Sequence, residues 1–452
     1  MTTSGQPIHA DILVHDAMVL TMDEERRFIE NGSVAVSGDK ILEVGPSEEL
    51  EGRYQARRTI DGRNKILMPG LINVHTHAPM NIYRGAADDL PLQEWLYDHI
   101  FPLEAAFSSK IENLKAGMRL AIAEMLLSGT TMFKDMYFFT DELAAVVAET
   151  GMRAMLSEAV FDNATPSNGG GDKTLDYIDA TIRNWQHHPL VRQGVAAHAA
   201  YTVSPGLIVK AKELSRKHDT MFSIHLSENQ WEVDTIREMY DVTPVKHLEN
   251  LGVLDRQTLA VHCVVLSDED IAILANTNTG VAHNPQCNMK LANGAAPVPE
   301  LLKKGVHVGV GTDGVASNND LDMFDEIRSM SLLHKLTSSS TTVLNAREAV
   351  EMATITGAKA IGYDDRIGSL EEGKKADMIM LTLDKPHSKP FYNVYSSLVY
   401  SLRSSDVETV IVNGEVLVDQ HQLQRMDLSA VYEDIDKIAR EISAFQRRKQ
   451  AR

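Results

Sequence analysis

Histidine and acidic residues recur where buried β-strands are predicted to end. His75 and His77 follow the apolar run ILMPGLINV, His225 lies in FSIHLSE, and Asp313 ends the glycine-rich run VGVGTDG. Three imidazoles and one carboxylate are a ligand set that suits a borderline-soft divalent ion such as zinc. The residue types therefore indicate a metal site.

The spacing of His75 and His77 supports this interpretation. Residues i and i+2 of a β-strand point to the same face, so both imidazoles can serve as ligands of one ion. A His-x-His pair on its own could equally be a chance pair on a solvated turn. The buried run before it, together with His225 and Asp313, favours metal binding.

Two residues near these ligands could do acid–base chemistry. Glu228 follows His225 at a predicted strand-to-loop turn, where a carboxylate could face a substrate and shuttle protons. Its alternative role is that of an acid at a helix N-terminus. His262, in AVHCVV, could be an ordinary core histidine, but it lies on the strand after that of His225. Asp313 likewise either caps its turn or binds the metal.

The elements that must position these residues alternate between strand and helix. Helical patterns with a period of about 3.6, such as residues 112–129 closed by Gly129, separate most of the strand candidates. Eight alternating strands predict a parallel (β/α)8 barrel of the TIM type, whose active sites lie at the carboxyl ends of the strands. The strand candidates are KILMPGLINVHTH, TTMFKDMYFF, MRAMLSEAVFD, RQGVAAHAAYT, TMFSIHLSE, TLAVHCVVLS, TGVAHNPQ and HVGVGTDG.

Both ends of the chain are rich in predicted strands. The first 60 residues contain two, and residues 376–383 and 407–423 contain more, including a Val-Asn-Gly-Glu-Val hairpin signal. We expect a small β-sandwich built from residues 1–66 and 369–425, with the barrel inserted as residues 67–368. Residues 426–452 should form a charged, peripheral helical tail, and residues 167–173 a flexible loop beside a barrel strand.

One metal ion is expected rather than two. Two-metal barrels usually bridge their ions with a carboxylated lysine or another acid from a middle strand. Here His198 closes the fourth strand, no lysine ends the third or fourth, and Lys173 lies well into a loop. The expected cofactor is one divalent ion per chain, zinc in the first place and iron as the alternative.

Composition excludes several classes of function. The 452 residues carry a net charge of −19, which repels phosphate backbones and argues against a nucleic-acid partner. Two cysteines rule out a disulfide framework and favour a reducing compartment. With no signal-peptide pattern at the start and no long apolar run, a cytoplasmic protein without membrane spans is expected. Homo-oligomerisation is left open.

Five segments together resemble the 5′-methylthioadenosine/S-adenosylhomocysteine deaminases of the amidohydrolase superfamily. The LEEGKKADMIML segment and the terminal strands match as well, so the resemblance covers nearly the whole chain. It is highly specific for the superfamily and its aromatic-base deaminases, and less so for the substrate. The segments are PGLINVHTHAPMNIYRGAADDLPLQEWLYDHIFPLE, HLSENQ, AVHCVVL, AHNPQCNMKLANGAAP and GVGTDGVASNN.

The resemblance implies a role for each candidate residue. The metal ligands would be His75, His77, His225 and Asp313. Glu228 matches the acid that protonates the ring nitrogen, and His262 the histidine that contacts the water nucleophile, while Asp313 would accept a proton from that water. The remaining matches concern the nucleoside: Glu104 and His198 would contact its ribose, and Trp95 would lie near its base.

Departures from the family concern the distal end of the substrate. Relatives hold the carboxylate of S-adenosylhomocysteine with two arginines, whereas the strand-three position here is Glu158 and the second falls near Lys173. Glu158 would repel that carboxylate if it faced the pocket. Arg153 is a nearby arginine that could substitute for the missing group.

The implied activity is hydrolytic deamination of an adenine nucleoside, with 5′-methylthioadenosine preferred and S-adenosylhomocysteine or adenosine as further substrates. The alternative within the same chemistry is a deaminase or chlorohydrolase of another aromatic ring, such as guanine, a cytosine-type base or a triazine. A non-catalytic purine sensor is a third hypothesis, which the complete ligand set and Glu228 disfavour.

Overall fold

Eight parallel strands form a barrel in the computed structural model, which describes residues 7–450. Each strand is hydrogen-bonded to the next in chain order, so the predicted (β/α)8 barrel is confirmed. All eight predicted strands are present, each close to its expected position. The barrel strands are β6 (Leu71–Thr76), β7 (Thr130–Tyr137), β8 (Arg153–Val160), β9 (Val191–Ala199), β10 (Phe222–Leu226), β11 (Thr258–His262), β12 (Gly280–His283) and β13 (Val308–Val310).

Polar contacts join the last barrel strand to the first. The Asn73 side chain donates a hydrogen bond to the Thr312 hydroxyl (2.8 Å) and accepts one from the Thr312 amide (3.2 Å). The Asp313 amide donates to the His75 carbonyl (3.1 Å). The pairing of β6 with β7 shifts register between Asn73 and Thr76, a bulge of the kind that re-aims side chains near active sites.

The two ends of the chain build one nine-stranded mixed sheet. Its hydrogen-bonded order is β17-β16-β15-β14-β5-β1-β2-β3, and β4 pairs with β1 beside β5. The predicted hairpin turns at Asn413 and Gly414, both with positive φ (53° and 78°), which is the geometry of an Asn-Gly turn. The strands are β1 (Ile8–Leu20), β2 (Phe28–Ser37), β3 (Lys40–Pro46), β4 (Tyr54–Asp61), β5 (Lys65–Pro69), β14 (Met378–Thr382), β15 (Val407–Val412), β16 (Glu415–Asp419) and β17 (Gln422–Leu423).

The junction between sheet and barrel lies slightly later than expected. β5 pairs with β14 as far as Pro69, which moves the first boundary from 66/67 to Gly70. A Cβ atom at Gly70 would lie only 2.0 Å from the Thr131 side chain. The backbone of Gly70 therefore packs directly against Thr131, where the sheet meets the barrel. The other boundaries, at 368/369 and 425/426, stay predictions.

Helices surround the barrel and cover its strands. Short 3₁₀ segments span Ala78–Tyr83, Pro386–Ser388 and Ser404–Asp406, and π-helical turns span Trp95–Ile100 and Ser397–Ser401. The α-helices are α1 (Ser47–Leu50), α2 (Leu92–Glu94), α3 (Phe101–Phe107), α4 (Ile111–Leu127), α5 (Thr140–Thr150), α6 (Asp172–Trp185), α7 (Pro205–Lys217), α8 (Gln230–Tyr240), α9 (Pro244–Asn250), α10 (Asp268–Asn276), α11 (Pro285–Lys290), α12 (Val298–Lys303), α13 (Met323–Thr337), α14 (Ala346–Met352), α15 (Ile355–Ala360), α16 (Val394–Ser396) and α17 (Leu428–Gln450).

The tail helix α17 is more than a peripheral appendage. Ile438 and Ile442 are buried on the barrel side of the helix, and the ring of Phe445 lies edge-on against Phe107 of α3. The Gln446 side chain donates to the Ala86 carbonyl (2.8 Å). α17 therefore packs against the segment that connects the first and second barrel strands.

 

No helix within residues 7–450 is long and apolar enough to cross a membrane. Residues 1–6, part of the segment for which no signal peptide is expected, and residues 451–452, the end of the predicted tail, lie outside the described part of the chain. The cytoplasmic location, the lack of a nucleic-acid partner and the oligomeric state stay predictions from composition.

Candidate active site

Four side chains from three parts of the barrel converge at the carboxyl ends of its strands. One nitrogen each from His75, His77 and His225 and one oxygen of Asp313 all lie within 4.8 Å of one another. The Nε2 atoms of His75 and His77 are each 3.2 Å from Asp313 Oδ1. Donor atoms of a tetrahedral zinc site with bonds of about 2.1 Å lie about 3.4 Å apart, so the arrangement fits a divalent ion of that size.

Backbone carbonyls fix the orientation of two of these imidazoles. His77 Nδ1 donates to the carbonyl of Met136, and His225 Nδ1 donates to the carbonyl of His198 (2.9 Å). Because a carbonyl can only accept, Nδ1 carries a proton, so Nε2 is the ring atom through which each of these histidines would bind a metal. These contacts are the second layer that metal-binding histidines require.

Burial keeps two of the histidines neutral. It lowers the pKa of His75 to about 3 and holds the pKa of His225 well below its ordinary value. A neutral imidazole is the form that binds a metal. Burial alone would raise the pKa of Asp313, but hydrogen bonds from His75 and His77 hold it well below the usual range, so the carboxylate is ionised.

The second oxygen of Asp313 has its own partners. Asp313 Oδ2 accepts hydrogen bonds from the hydroxyl of Ser317 (2.6 Å) and from the thiol of Cys287 (2.9 Å). Asp313 does not cap a helix. Its carboxylate is held from both sides, which fixes the orientation of Oδ1 toward the histidines.

Glu228 faces the cavity rather than the helix that follows it. The N-cap of α8 is Asn229, whose side chain accepts from the Glu232 amide, and Glu232 in turn accepts from the amides of Ser227 and Glu228. Glu228 Oε1 accepts a hydrogen bond from Asn293 (2.9 Å), and burial raises the pKa of its carboxyl. The helix-cap alternative does not apply to this residue.

His262 lies across from Glu228. Its Nε2 atom is 3.9 Å from Glu228 Oε2, and its Nδ1 atom is 3.0 Å from Asn288 Oδ1. Donation from Nδ1 to Asn288 leaves Nε2 with a lone pair on the cavity side. The ring is buried, but it is turned toward the metal ligands, 5.5 Å from the ring centre of His225. It is therefore not an ordinary core histidine.

A cavity of about 770 Å³, its open mouth included, extends outward from these residues. Trp95, Glu104 and His198 all line it, as do Glu228, His262 and Asp313. Of the predicted site residues, only His75 and Glu158 are absent from its lining, and His75 lies behind it, within reach of the other three candidate ligands.

Side chains that the sequence did not single out hold Glu104 and His198. Glu104 accepts a hydrogen bond from the Tyr137 hydroxyl (2.6 Å), and burial raises its pKa to about 7. The ring of Phe161 stacks on His198 with 4.5 Å between ring centres, and Thr202 contacts His198 Nδ1 at 2.8 Å. Burial lowers the pKa of His198 to about 3, so the ring is neutral.

The expected pocket role of Glu158 has to be corrected. Glu158 is fully buried on the opposite face of β8 from Ala159, which lines the cavity. Its carboxylate accepts from the Thr140 amide (3.0 Å) and from the side chains of Ser167 and Asn168. Alternation along the strand is the reason, because neighbouring residues point to opposite faces. The 167–173 loop is consequently tied down onto Glu158.

A second chamber adjoins the cavity at its outer end. It encloses about 1420 Å³, mouth included, and shares Phe101, Glu104, Phe138, Phe161 and Tyr201 with the first. Within the described chain, none of the residues that line this chamber is a lysine, arginine or histidine. Its charged groups are the carboxylates of Glu104 and Asp162.

Neither basic residue considered as a substitute reaches this chamber. Arg153 is buried in an ion pair with Asp377 (2.6 Å), and Lys173 is absent from the lining of both cavities.

Other residues of the site could not be singled out from their types alone. Cys287, Asn288 and Asn293 come from the segment after β12, and Tyr137 ends β7. The polar AHNPQCNMKLANG segment after a buried strand was a signal for the first three. Tyr137 carries no signal of its own, since an aromatic residue at a strand end is more often part of a core.

Comparison with known proteins places this geometry in context. The Amidohydrolase family model matches residues 66–417. The 5-methylthioadenosine/S-adenosylhomocysteine deaminase of Syntrophobacter fumaroxidans is 43% identical over 433 residues, 96% of this chain and 98% of the relative. The 5′-deoxyadenosine deaminase of Methanosarcina acetivorans is 43% identical over 437 residues, with 96% and 99% covered.

A solved structure is similar over almost the whole chain. It is an adenosine deaminase from Xanthomonas campestris with bound zinc, with a TM-score of 0.95 and 35% sequence identity. The match covers 97% of this chain and 100% of that one.

Proposed function

The chain belongs to the amidohydrolase family, and on that premise we propose that it hydrolytically deaminates an adenine nucleoside, with 5′-methylthioadenosine as the preferred substrate. The relatives named above are deaminases of adenine nucleosides. The observation that carries the proposal is the placement of Glu228 and His262 on one cavity, beside the four candidate metal ligands.

The ligand set supports one divalent ion, zinc in the first place. Three imidazoles and one carboxylate match its preferences, and the similar adenosine deaminase binds zinc. A zinc ion held there supplies Lewis acidity and activates water for attack at neutral pH. His75, His77, His225 and Asp313 would hold it, oriented by the carbonyls of Met136 and His198.

Glu228 is proposed as the acid that protonates the ring nitrogen next to the amino-bearing carbon. Burial raises its pKa, which shifts the carboxyl toward its protonated form. Asn293 occupies one carboxyl oxygen and leaves the other toward the cavity. Protonation of the ring makes the adjacent carbon more electrophilic, and a general acid of this kind contributes about 10²- to 10⁴-fold in rate.

His262 and Asp313 are proposed to serve the nucleophile. The Nε2 lone pair of His262 faces the cavity and can accept a hydrogen bond from the attacking water. Asp313 is ionised and can take up a proton, which a later step returns to the departing amino group as ammonia leaves. Water thus loses both of its protons: one passes through Asp313 to the leaving amino group, and the other, from the hydroxyl left on the ring carbon, restores the Glu228 carboxyl. The carbon–nitrogen bond breaks, and the products are ammonia and the inosine analogue.

The outer part of the site supports a nucleoside over a bare base. Glu104 and His198 lie on the cavity wall between the catalytic residues and the second chamber, where they can contact ribose hydroxyls. Trp95 lies on the same wall and offers its ring to the base. A bare guanine, cytosine or triazine would leave the Glu104 side of the cavity unused.

The second chamber supports a preference for an uncharged 5′ substituent. A thioether methyl group fits walls made by Phe101, Phe138 and Phe161. The carboxylate of S-adenosylhomocysteine would meet no cation among the lining residues and two carboxylates, Glu104 and Asp162. The preference for 5′-methylthioadenosine, first inferred from Glu158, therefore rests instead on the residues that line the second chamber.

Ammonia release tests the activity and its specificity. We expect turnover of 5′-methylthioadenosine, 5′-deoxyadenosine and adenosine, and none of guanine or cytosine. Since a charge-assisted hydrogen bond contributes about 1.5–3 kcal/mol, kcat/KM for S-adenosylhomocysteine should be roughly 10- to 100-fold lower than for 5′-methylthioadenosine.

A variant in the second chamber sharpens this test. Asn163 lines the chamber and is exposed, so Asn163→Arg should raise the relative efficiency with S-adenosylhomocysteine, while Asn163→Gln should not. If guanine were the preferred substrate, the assignment of an adenine nucleoside would be wrong. S-Adenosylhomocysteine as the best substrate of the unmodified protein would contradict only the role given to the chamber.

A further inference from the structure

A chain of buried hydroxyl groups lies behind Glu104. The Tyr137 hydroxyl is 2.6 Å from Glu104 Oε1 and 3.1 Å from Ser108 Oγ. Ser108 Oγ is in turn 2.7 Å from the Tyr83 hydroxyl. Tyr83 and Ser108 are completely buried, and Tyr137 is only 3% exposed. The proton transfers proposed above use none of these three hydroxyl groups.

The direction of each hydrogen bond follows from what the members of the chain can donate. A carboxylate can only accept, so the single proton of the Tyr137 hydroxyl goes to Glu104. The Tyr137 oxygen then accepts from the Ser108 hydroxyl, and the Ser108 oxygen accepts from Tyr83. All three protons therefore point toward Glu104, and hydrogen bonds aligned in this way strengthen one another.

The hydroxyl chain joins three separate segments at the cavity wall. Tyr137 is the last residue of β7, and Tyr83 is the last residue of the 3₁₀ segment that follows β6. Ser108 directly follows α3, the helix that carries Glu104, and its amide donates to the Glu104 carbonyl (2.8 Å). Glu104 is thus held both through its backbone and through one oxygen of its side chain.

The other carboxyl oxygen of Glu104 stays available to a ligand. No group within residues 7–450 forms a hydrogen bond to Glu104 Oε2, and Glu104 lines both the first cavity and the second chamber. An acceptor in this place suits the hydroxyl groups of a ribose, which can donate. Because the side chain is already ordered in the free protein, little ordering cost remains to oppose binding.

We infer that Tyr137, supported by Ser108 and Tyr83, is a positioning residue that makes the enzyme select nucleosides with intact ribose hydroxyls. Tyr137 acts through Glu104, whose contact with the ribose belongs to the proposed function, so the inference rests on that function. The substrate class is narrowed to adenine ribonucleosides. Nucleosides that lack the 2′ and 3′ hydroxyls are poor substrates because they leave Glu104 Oε2 without a donor.

Adenosine and 2′,3′-dideoxyadenosine, which differ only in these two hydroxyls, test the inference with the zinc-loaded enzyme. We expect the unmodified protein to prefer adenosine. Tyr137→Phe should raise KM and lower kcat/KM for adenosine roughly 10-fold, with kcat little changed, because Glu104 loses the hydrogen bond that fixes it. The same variant should leave kcat/KM for dideoxyadenosine nearly unchanged, so the preference for adenosine becomes smaller.

Two further variants keep the test independent of folding. Ser108→Ala removes the donor to Tyr137 and should reduce the preference for adenosine in the same direction, by a smaller factor, even if Tyr137→Phe does not fold. Tyr363→Phe is the matched control, because its hydroxyl is also buried but has no hydrogen-bond partner, and Tyr363 lines neither the first cavity nor the second chamber. It should leave both substrates unaffected.

The outcomes separate this inference from the proposed function. No preference for adenosine in the unmodified protein, or an equal loss with both nucleosides in the Tyr137 and Ser108 variants, would overturn the positioning role and leave the deamination in place. If the unmodified protein deaminated neither nucleoside nor 5′-methylthioadenosine, the proposed function would be wrong, and the inference with it.

Discussion

Ser227, His262 and Asp313 all have a left-handed backbone conformation, with φ of 52°, 73° and 58°. Such angles are uncommon and costly for residues other than glycine, and they concentrate at functional sites. Each of the three lies at or just after the end of a barrel strand. The left-handed conformation turns the chain sharply away from the strand direction. At His262 and Asp313, the residue in this conformation also has a side chain that faces the cavity.

Replacement of Glu228 tests the proton-transfer role at a single atom. Glu228→Gln keeps the shape of the side chain and can keep a contact with Asn293, but it cannot supply a carboxyl proton. We expect kcat to fall by roughly 10²-fold or more, with metal content and thermal unfolding unchanged. Ammonia release and metal analysis of the same sample measure both. An unchanged kcat would rule out Glu228 as the acid.

Glu158 makes a stability prediction that depends on pH. Burial raises its pKa to about 7, above the 4.5 of an exposed glutamate. The folded state then holds the proton more tightly than the unfolded state, so its contribution to stability is lost as pH rises from about 4.5 through 7. Between pH 5 and pH 8, the free energy of unfolding of Glu158→Gln should therefore rise by up to about 3 kcal/mol relative to that of the unmodified protein.

Urea unfolding at the two pH values measures that difference. Glu142→Gln, on the exposed side of α5, is the reference for replacing a glutamate by glutamine outside the buried site. A difference for Glu158→Gln that is the same at both pH values would contradict the raised pKa.

The candidate ligands could be predicted because residue type and strand position coincide. His75, His77, His225 and Asp313 each follow a buried apolar run. The contacts that orient them could not, since a backbone carbonyl such as that of Met136 has no signature in a sequence. Glu158 was misplaced for a related reason: the face toward which a strand residue points depends on register, which one residue of slip reverses.

At the scale of elements, α17 acts on the substrate cavity from outside the barrel. Gln446 holds the Ala86 carbonyl, and the Lys449 side chain donates to the Asp98 carbonyl within the π-helical turn that begins at Trp95. π-Helical turns are frequent at functional sites. The final helix thus supports the segment that brings Trp95 and Glu104 to the cavity.

Loosening α17 should therefore affect substrate binding as well as stability. Ile438→Ala combined with Ile442→Ala removes two buried side chains, each worth about 2–5 kcal/mol in a core. We expect a lower unfolding temperature and a raised KM with unchanged metal content. Glu433→Ala, exposed on the same helix, is the control. An unchanged KM despite lower stability would limit α17 to a structural role.

Elements were predicted well where periodicity was regular, as in all eight barrel strands and the Asn-Gly hairpin. The bulge in β6 and the π-helical turn at Trp95–Ile100 were not predicted. Both depend on an extra residue accommodated within otherwise regular hydrogen bonding, and neither changes the pattern of apolar residues.

At the scale of the whole molecule, the barrel is expected to hold a single metal ion. Within the described residues, the one buried group of histidine and acidic side chains close enough to share an ion is that of His75, His77, His225 and Asp313. Metal analysis of protein purified without added zinc should give about one equivalent per chain, and a chelator should abolish turnover. Two equivalents, both required for activity, would contradict this ligand count.

The shared terminal sheet has a consequence for how the protein is made on the ribosome. β5 lies between β1 and β14, yet about 300 residues separate it from β14 along the chain. At a synthesis rate of about 5–20 residues per second, the apolar edge of β5 waits roughly 15–60 seconds for its partner. During that interval the nascent amino-terminal sheet is incomplete, and an exposed strand edge is where chains pair wrongly. Completion of the sheet therefore belongs to the last stage of translation, after the barrel strands have emerged.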